Sequence, residues 1–282
     1  LTKSFQRLSI FFGEISVEDK VSLSEVKLAV GLALIACCLV SPDAYSQSSS
    51  REVVTQQTEW FALNSNIKLH KKFGFAFDGQ LRFVQGFESA QHYVRNGIEI
   101  YVTPKLSIVP IGYMHVWNFK YGKQPSSFVN NEHRIWQQIL YRHNFRKLFF
   151  AHRFRFEQRF IQKHHTEIDG SLVNDGYDTY LNRIRYRLQV QIPLNKEKIE
   201  PGAWFLGIFD EAFYSWGKSI TFSEPDQNRL YTAIGYQFNK KFSIQGGAFY
   251  QMLIKKNGAQ QENNVGTLIQ VGYNLDFSKS EN

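Results

Sequence analysis

The chain has 282 residues, 16% of them aromatic, and 33 Lys and Arg against 25 Asp and Glu, for a net charge of +8. Its two cysteines, Cys37 and Cys38, both lie in an apolar run near the N-terminus, so the rest of the chain can form neither a disulfide nor a cysteine-ligated metal site. The basic balance would suit nucleic acid, but the cations alternate with aromatics along extended segments instead of clustering toward solvent, which argues against a nucleic-acid partner.

Leu1 to Glu25 reads as neither a strand nor a periodic helix. Lys27 then precedes Leu28 to Val40, an apolar run of about 13 residues, too short to span a membrane. With Ala44 and Ser46 as small residues ahead of Gln47, residues 1–46 read as a secretory signal peptide cleaved before Gln47, and residues 47–282 as one domain. Val26-Lys27 resembles a start codon read as Val, which would place Leu1 to Glu25 upstream of translation. Leu34-Ile35-Ala36-Cys37 also resembles a lipoprotein box, which would instead leave Cys37 as a lipidated N-terminus.

Beyond Gln47 the dominant signal is a period of two. Arg153, Arg155, Glu157 and Arg159 alternate with His152, Phe154, Phe156, Gln158 and Phe160, giving a strand with one ionic and one mostly aromatic face. Phe73 to Phe83 and Arg183 to Ile192 repeat it. So many two-sided strands predict an all-β fold, a closed antiparallel transmembrane barrel with hydrocarbon outside and a charged lumen inside. Strands are expected near Thr58 to Leu69, Phe73 to Val84, Tyr93 to Val102, Leu106 to Trp117, Glu132 to Tyr141 and Leu148 to Phe160. Five more follow near Thr179 to Ile192, Ala203 to Phe213, Arg229 to Phe238, Phe242 to Met252 and Val265 to Phe277.

Connections alternate in length. Those at His70, Thr103, His143 and Asn239 read as the short, periplasmic set, with Asn195 to Gly202 intermediate in length but in a short-turn position, and Gln85 to His92, Asn118 to Asn131, Ile161 to Asp178, Ser215 to Asn228 and Leu253 to Asn264 as the long, exterior set. A chain that enters and leaves at the periplasm needs an even count. Arg51 to Gln57 then supplies a short first strand, giving about 12 strands, or 10 if Thr58 to Leu69 packs inside.

Gln270-Val271-Gly272-Tyr273-Asn274-Leu275-Asp276-Phe277 resembles the C-terminal signal read by the outer-membrane assembly machinery, which becomes an expected partner beside the lipid bilayer. The mature chain also resembles a family of bacterial outer-membrane barrels known only as a domain of unknown function. The resemblance rests on Glu132-x-Arg134-x-Trp136-x-Gln138, His152-Arg153-x-Arg155-x-Glu157-x-Arg159-Phe160, Arg183-x-Arg185-Tyr186-Arg187, Glu211-x-Phe213 and Asn228-Arg229-x-Tyr231. It implies a barrel in the outer membrane of a Gram-negative envelope, and brings no catalytic residue, cofactor or ligand.

The expected lumen network comprises Arg82, Arg95, Glu99, Glu132, Arg134, Arg153, Arg155, Glu157, Arg159, Arg183, Arg185, Arg187, Glu211 and Arg229, with Asp78 on the same faces. Guanidinium forks binding carboxylates on neighbouring strands would fill a narrow lumen, giving a structural or passive-transport protein without enzymatic activity or cofactor. The excess of arginine leaves open an anion-preferring pore for a small anionic solute. A barrel-embedded lipid hydrolase would need a serine beside an oriented histidine, for which His115 with Ser126 or Ser127 is the best placement. His164 and His165 with Glu167 and Asp169 form a weaker metal candidate. Trp60, Trp117, Tyr121, Trp204, Tyr214 and Trp216 are expected in interfacial girdles, and Trp136 inside the lumen.

Overall fold

A computed structural model describes residues 51–126, 128–220 and 225–278; the expected signal peptide, the alternative start and the alternative lipoprotein box fall outside the described residues. Thirteen strands follow in order: β1 (Glu52–Lys68), β2 (Phe73–Val84), β3 (Glu88–Tyr101), β4 (Leu106–Asn118), β5 (Asn130–Phe145), β6 (Leu148–Ile161), β7 (His164–Thr166), β8 (Leu172–Asn174), β9 (Thr179–Pro193), β10 (Ala203–Trp216), β11 (Gln227–Gln237), β12 (Phe242–Ile254) and β13 (Gln260–Asp276). Eleven close into a barrel in the order β1-β2-β3-β4-β5-β6-β9-β10-β11-β12-β13, while β7 and β8 form a separate hairpin in one loop.

The all-β barrel is as expected, but its strand count and closure are not. Arg51 to Gln57 adds no twelfth strand, because all but its first residue form the start of a 17-residue β1. That strand runs parallel to β13 from Glu52↔Gln260 to Lys68↔Asp276, while every other barrel pair is antiparallel. A parallel seam joins first and last strands pointing the same way, which is what an odd count requires. It leaves no open edge to pair elsewhere. Gly266 makes the close approach possible, since a Cβ there would collide with the Thr58 carbonyl oxygen across the seam.

Two connections expected to be long are tight turns. Residues 85–87 join β2 to β3 with three successive positive φ angles of 47°, 82° and 71°, and residues 255–259 join β12 to β13. The polar run Gln260-Gln261-Glu262-Asn263-Asn264 reads as loop in sequence yet continues β13. β4 carries Pro110 at a register shift between Val109 and Gly112, where the ladder is already interrupted.

Side chains alternate as the period of two demands. Ile98, Ile139, Phe154, Ile184, Ile234 and Val265 are exposed on the outer wall. Inside, Trp60, Phe209, Tyr231, Phe249 and Leu268 from β1 and β10–β13 form one apolar cluster, and Val109, Met114, Val116 and Trp136 from β4 and β5 form another. Gly97 and Gly112 leave the space that the Trp136 indole occupies.

Candidate functional site

Among the described residues, eight arginines and five glutamates are buried. They cannot be solvated by water in bulk, so each must find charge or hydrogen-bond partners within the lumen. Register alone would be unfavourable, for Arg134 faces Arg159 across β5 and β6, and Arg155 faces Arg185 and Arg153 faces Arg187 across β6 and β9. Three carboxylates bridge most of these cations. Glu132 accepts from Nε of Arg134 at 2.7 Å and Nε of Arg159 at 2.5 Å. Glu157 accepts from Arg183 at 2.9 Å, from Nη1 of Arg185 at 2.6 Å and from Arg134 at 3.5 Å. Glu211 accepts from Nη2 of Arg153 at 2.6 Å and Nη2 of Arg185 at 2.8 Å, and lies 3.9 Å from Arg229.

The expected network therefore divides. Arg134, Arg153, Arg159, Arg183, Arg185 and Arg229 gather around Glu132, Glu157 and Glu211, whereas Arg95 pairs separately with Asp78 at 2.5 Å. Glu99 meets the Asn66 amide near the short-turn end and touches no arginine of the group. Arg155 donates to the Gln138 amide oxygen at 2.6 Å and stacks over Trp136, 4.7 Å from its centroid. Arg187 packs over Phe209 at 5.2 Å. Arg82 donates to the amide oxygens of Gln80 and Gln91 at 2.7 and 2.5 Å. None of Arg82, Arg155 and Arg187 makes an ion pair with a described residue.

Toward the long-loop end the lumen opens into a cavity of about 200 Å³. Seven arginines, Arg82, Arg95, Arg134, Arg159, Arg183, Arg185 and Arg229, line it with Lys255 and Lys256, and Asp226 is its single carboxylate among the described residues. The connection between β4 and β5 crosses this mouth to reach β1 and β13 on the far wall. Tyr121 donates to Glu262 at 3.1 Å, the Lys123 amide to Gln56 at 3.3 Å, and the Gln124 side chain to the Glu52 carbonyl at 3.1 Å. Lys255 holds the other carboxylate oxygen of Glu262 at 2.5 Å. Burial, with the Glu262 carboxylate beside it, pushes the Tyr121 phenol up, so it stays a neutral donor.

Tyr121 is thus part of a lid and not of a girdle, and Trp60 is buried in the lumen: β1 begins at Glu52, which puts Trp60 in mid-strand on the same inward face as Gln56 and Thr58. Trp117, Trp204, Tyr214 and Trp216 do face outward, and Trp136 faces in. Glu262, Lys255 and Asp226 escaped the sequence reading because they lie in polar stretches without alternation strong enough to mark a face.

The histidines sit elsewhere. On the outer wall Nδ1 of His115 lies 3.4 Å from Nδ1 of His133, which also meets the Tyr113 hydroxyl at 2.6 Å. Ser126 donates its hydroxyl to the Phe128 carbonyl, and Ser127 lies outside the described residues. His165 turns to Asp175 at 2.6 Å and Glu167 at 3.3 Å. No group of three or more His, Cys, Asp or Glu side chains among the described residues could hold a metal ion.

The family model described as "Protein of unknown function (DUF2490)" matches residues 57–263, which takes in every charged lumen residue named above. The chain belongs to the DUF2490 family. No curated protein and no solved structure matches this DUF2490 barrel. Its chemistry must be read from its own geometry: a closed barrel with a cationic, partly neutralised lumen and a lidded basic cavity at one end.

Proposed function

We propose that this DUF2490 protein is an outer-membrane barrel with a sealed lumen, a structural or solute-binding element of the envelope and neither an enzyme nor an open pore. The observation that carries this is the inversion of polarity, with apolar side chains exposed on the outer wall and arginine–glutamate clusters buried within. In water such an outer wall would be an aggregation surface; in hydrocarbon it is the stable arrangement. Two histidine pairs add scale. His115/His133 and His143/His152 lie on the outer wall ten residues apart along β5. At a rise of about 3.4 Å per residue and a tilt of about 40°, that spacing is roughly 26 Å along the axis, close to the apolar band of an outer-membrane barrel.

An anion-conducting pore is favoured by one observation, the arginines without an acid partner. Against it, Trp136, Phe213, Tyr231 and Phe249 are fully buried inside, and guanidiniums stack on Trp60, Trp136, Phe209 and Phe213, so side chains fill the bore.

The odd strand count puts Arg51 and Phe277 at opposite ends, Arg51 bonding Gly258 and Phe277 bonding Lys68. In a spanning barrel a membrane-impermeant reagent applied to intact cells should reach a tag ahead of Arg51 or one after Phe277, but not both. The protein should also fractionate with outer membranes and migrate faster on a gel unheated than boiled. Labelling of both tags, or a soluble pool without a heat shift, would refute the reading.

A further inference from the structure

We propose that the lidded cavity binds a small, multiply charged oxyanion, a soluble solute carrying phosphate or carboxylate groups, that enters from the long-loop end. The proposal deepens the solute-binding side of the reading above, yet it needs no conduction.

The charges that line the cavity are not neutralised equally. Arg134, Arg159, Arg183 and Arg185 already hold carboxylates on its walls. Arg82 and Arg229 do not hold one closely. Arg82 is held by the neutral amides of Gln80 and Gln91, and Arg229 by the Gln227 amide, whose oxygen in its bond-satisfying orientation accepts at 2.7 Å. Both guanidiniums approach the same Trp60 ring, at 4.0 and 5.1 Å from its centroid. Amide oxygens position a guanidinium and leave its charge in place. A buried cation of that kind carries a desolvation cost that a bound oxyanion would offset, and planar forks suit phosphate and carboxylate oxygens.

Size and access fit the same ligand. At about 200 Å³ the cavity is smaller than the roughly 300 to 1,000 Å³ of pockets for drug-sized ligands, which suits a compact dianion or trianion. The lid is fastened to β1 and β13 by a few polar contacts, chiefly through Tyr121, Lys123 and Gln124. Such contacts can open and reclose, which a filled apolar plug could not do as readily.

Titration calorimetry on the folded full chain in zwitterionic detergent at low salt tests this with inorganic pyrophosphate and, separately, citrate. The expected result is saturable binding of at least one, weakening as salt is added, and a loss of about tenfold or more in Arg82→Gln and in Arg229→Gln. Gln91→Glu supplies a second route that keeps every arginine, because it places a carboxylate where the Arg82-bound amide oxygen now sits at 2.5 Å. It should suppress binding while the barrel still shows its heat shift. Absence of binding of either probe up to about 10 mM, or binding unchanged in all three variants, overturns the proposal. Conductance is not read in this experiment, so a failed cavity and a failed sealed-lumen reading give separate results.

Discussion

Glu157 is fully enclosed and accepts from Arg183, Arg185 and Arg134, so its carboxylate joins β5, β6 and β9. Removing one member of a buried ionic group strands the others, and Glu157→Gln should destabilise the barrel by about 3 to 5 kcal/mol, measured as the urea midpoint for loss of the heat-modifiable form. Gln138→Glu should do the opposite or be neutral, since it offers Arg155, whose Nη1 is buried and unbonded, a carboxylate in place of an amide. If Glu157→Gln proved harmless, the network would be ornamental to stability. The alternation of residues 152–160 and 183–192 made the inward position of these side chains legible in sequence. Their partners were not legible, because which carboxylate meets which fork depends on strand tilt and stagger: Arg155 is next but one to Glu157 in sequence yet reaches Gln138 instead.

At the scale of elements, the β1–β13 seam and the β7–β8 hairpin are the parts that sequence periodicity did not specify. The seam depends on Gly266, and Gly266→Val should lower the fraction of heat-modifiable barrel recovered on refolding, whereas Gly86→Val, in a turn where a Cβ meets nothing, should matter less to closure although its φ of 82° carries local strain. Equal losses would mean that the parallel pairing is not the critical joint. The hairpin carries its own titration. Hydrogen bonds to Asp175 and then Glu167 raise the His165 imidazole above its usual 6.5. A raised value means that the cation's stabilising contribution is complete below the unfolded value and is lost as pH climbs through the folded one. Amide exchange at Lys163 and Asp175, corrected for intrinsic base catalysis, should therefore quicken as pH rises above the usual imidazole value, and His165→Gln should abolish that dependence. A flat profile in the unmodified chain would dissociate the hairpin from His165. Strand positions were readable because apolar outer faces mark them. The start of β13 was not, since Gln260 to Asn264 carry no apolar side chain on either face and therefore look like loop.

For the whole molecule, the expectation of an even count came from assuming that the chain enters and leaves on one side. The parallel closure replaces that with eleven strands whose ends lie at opposite rims, and it leaves a bore narrow enough for side chains from facing walls to meet. Two properties then follow together: an outer wall of exposed apolar side chains and an interior crowded with guanidiniums, carboxylates and aromatic rings, with a cavity under the lid. The sealed lumen is the claim on which the proposed role depends, and single-channel recording of the refolded full chain in a planar bilayer tests it most directly. Insertion without stable conductance steps, in preparations whose heat shift shows the barrel to be folded, is the predicted result; a steady ohmic conductance with anion preference would contradict it.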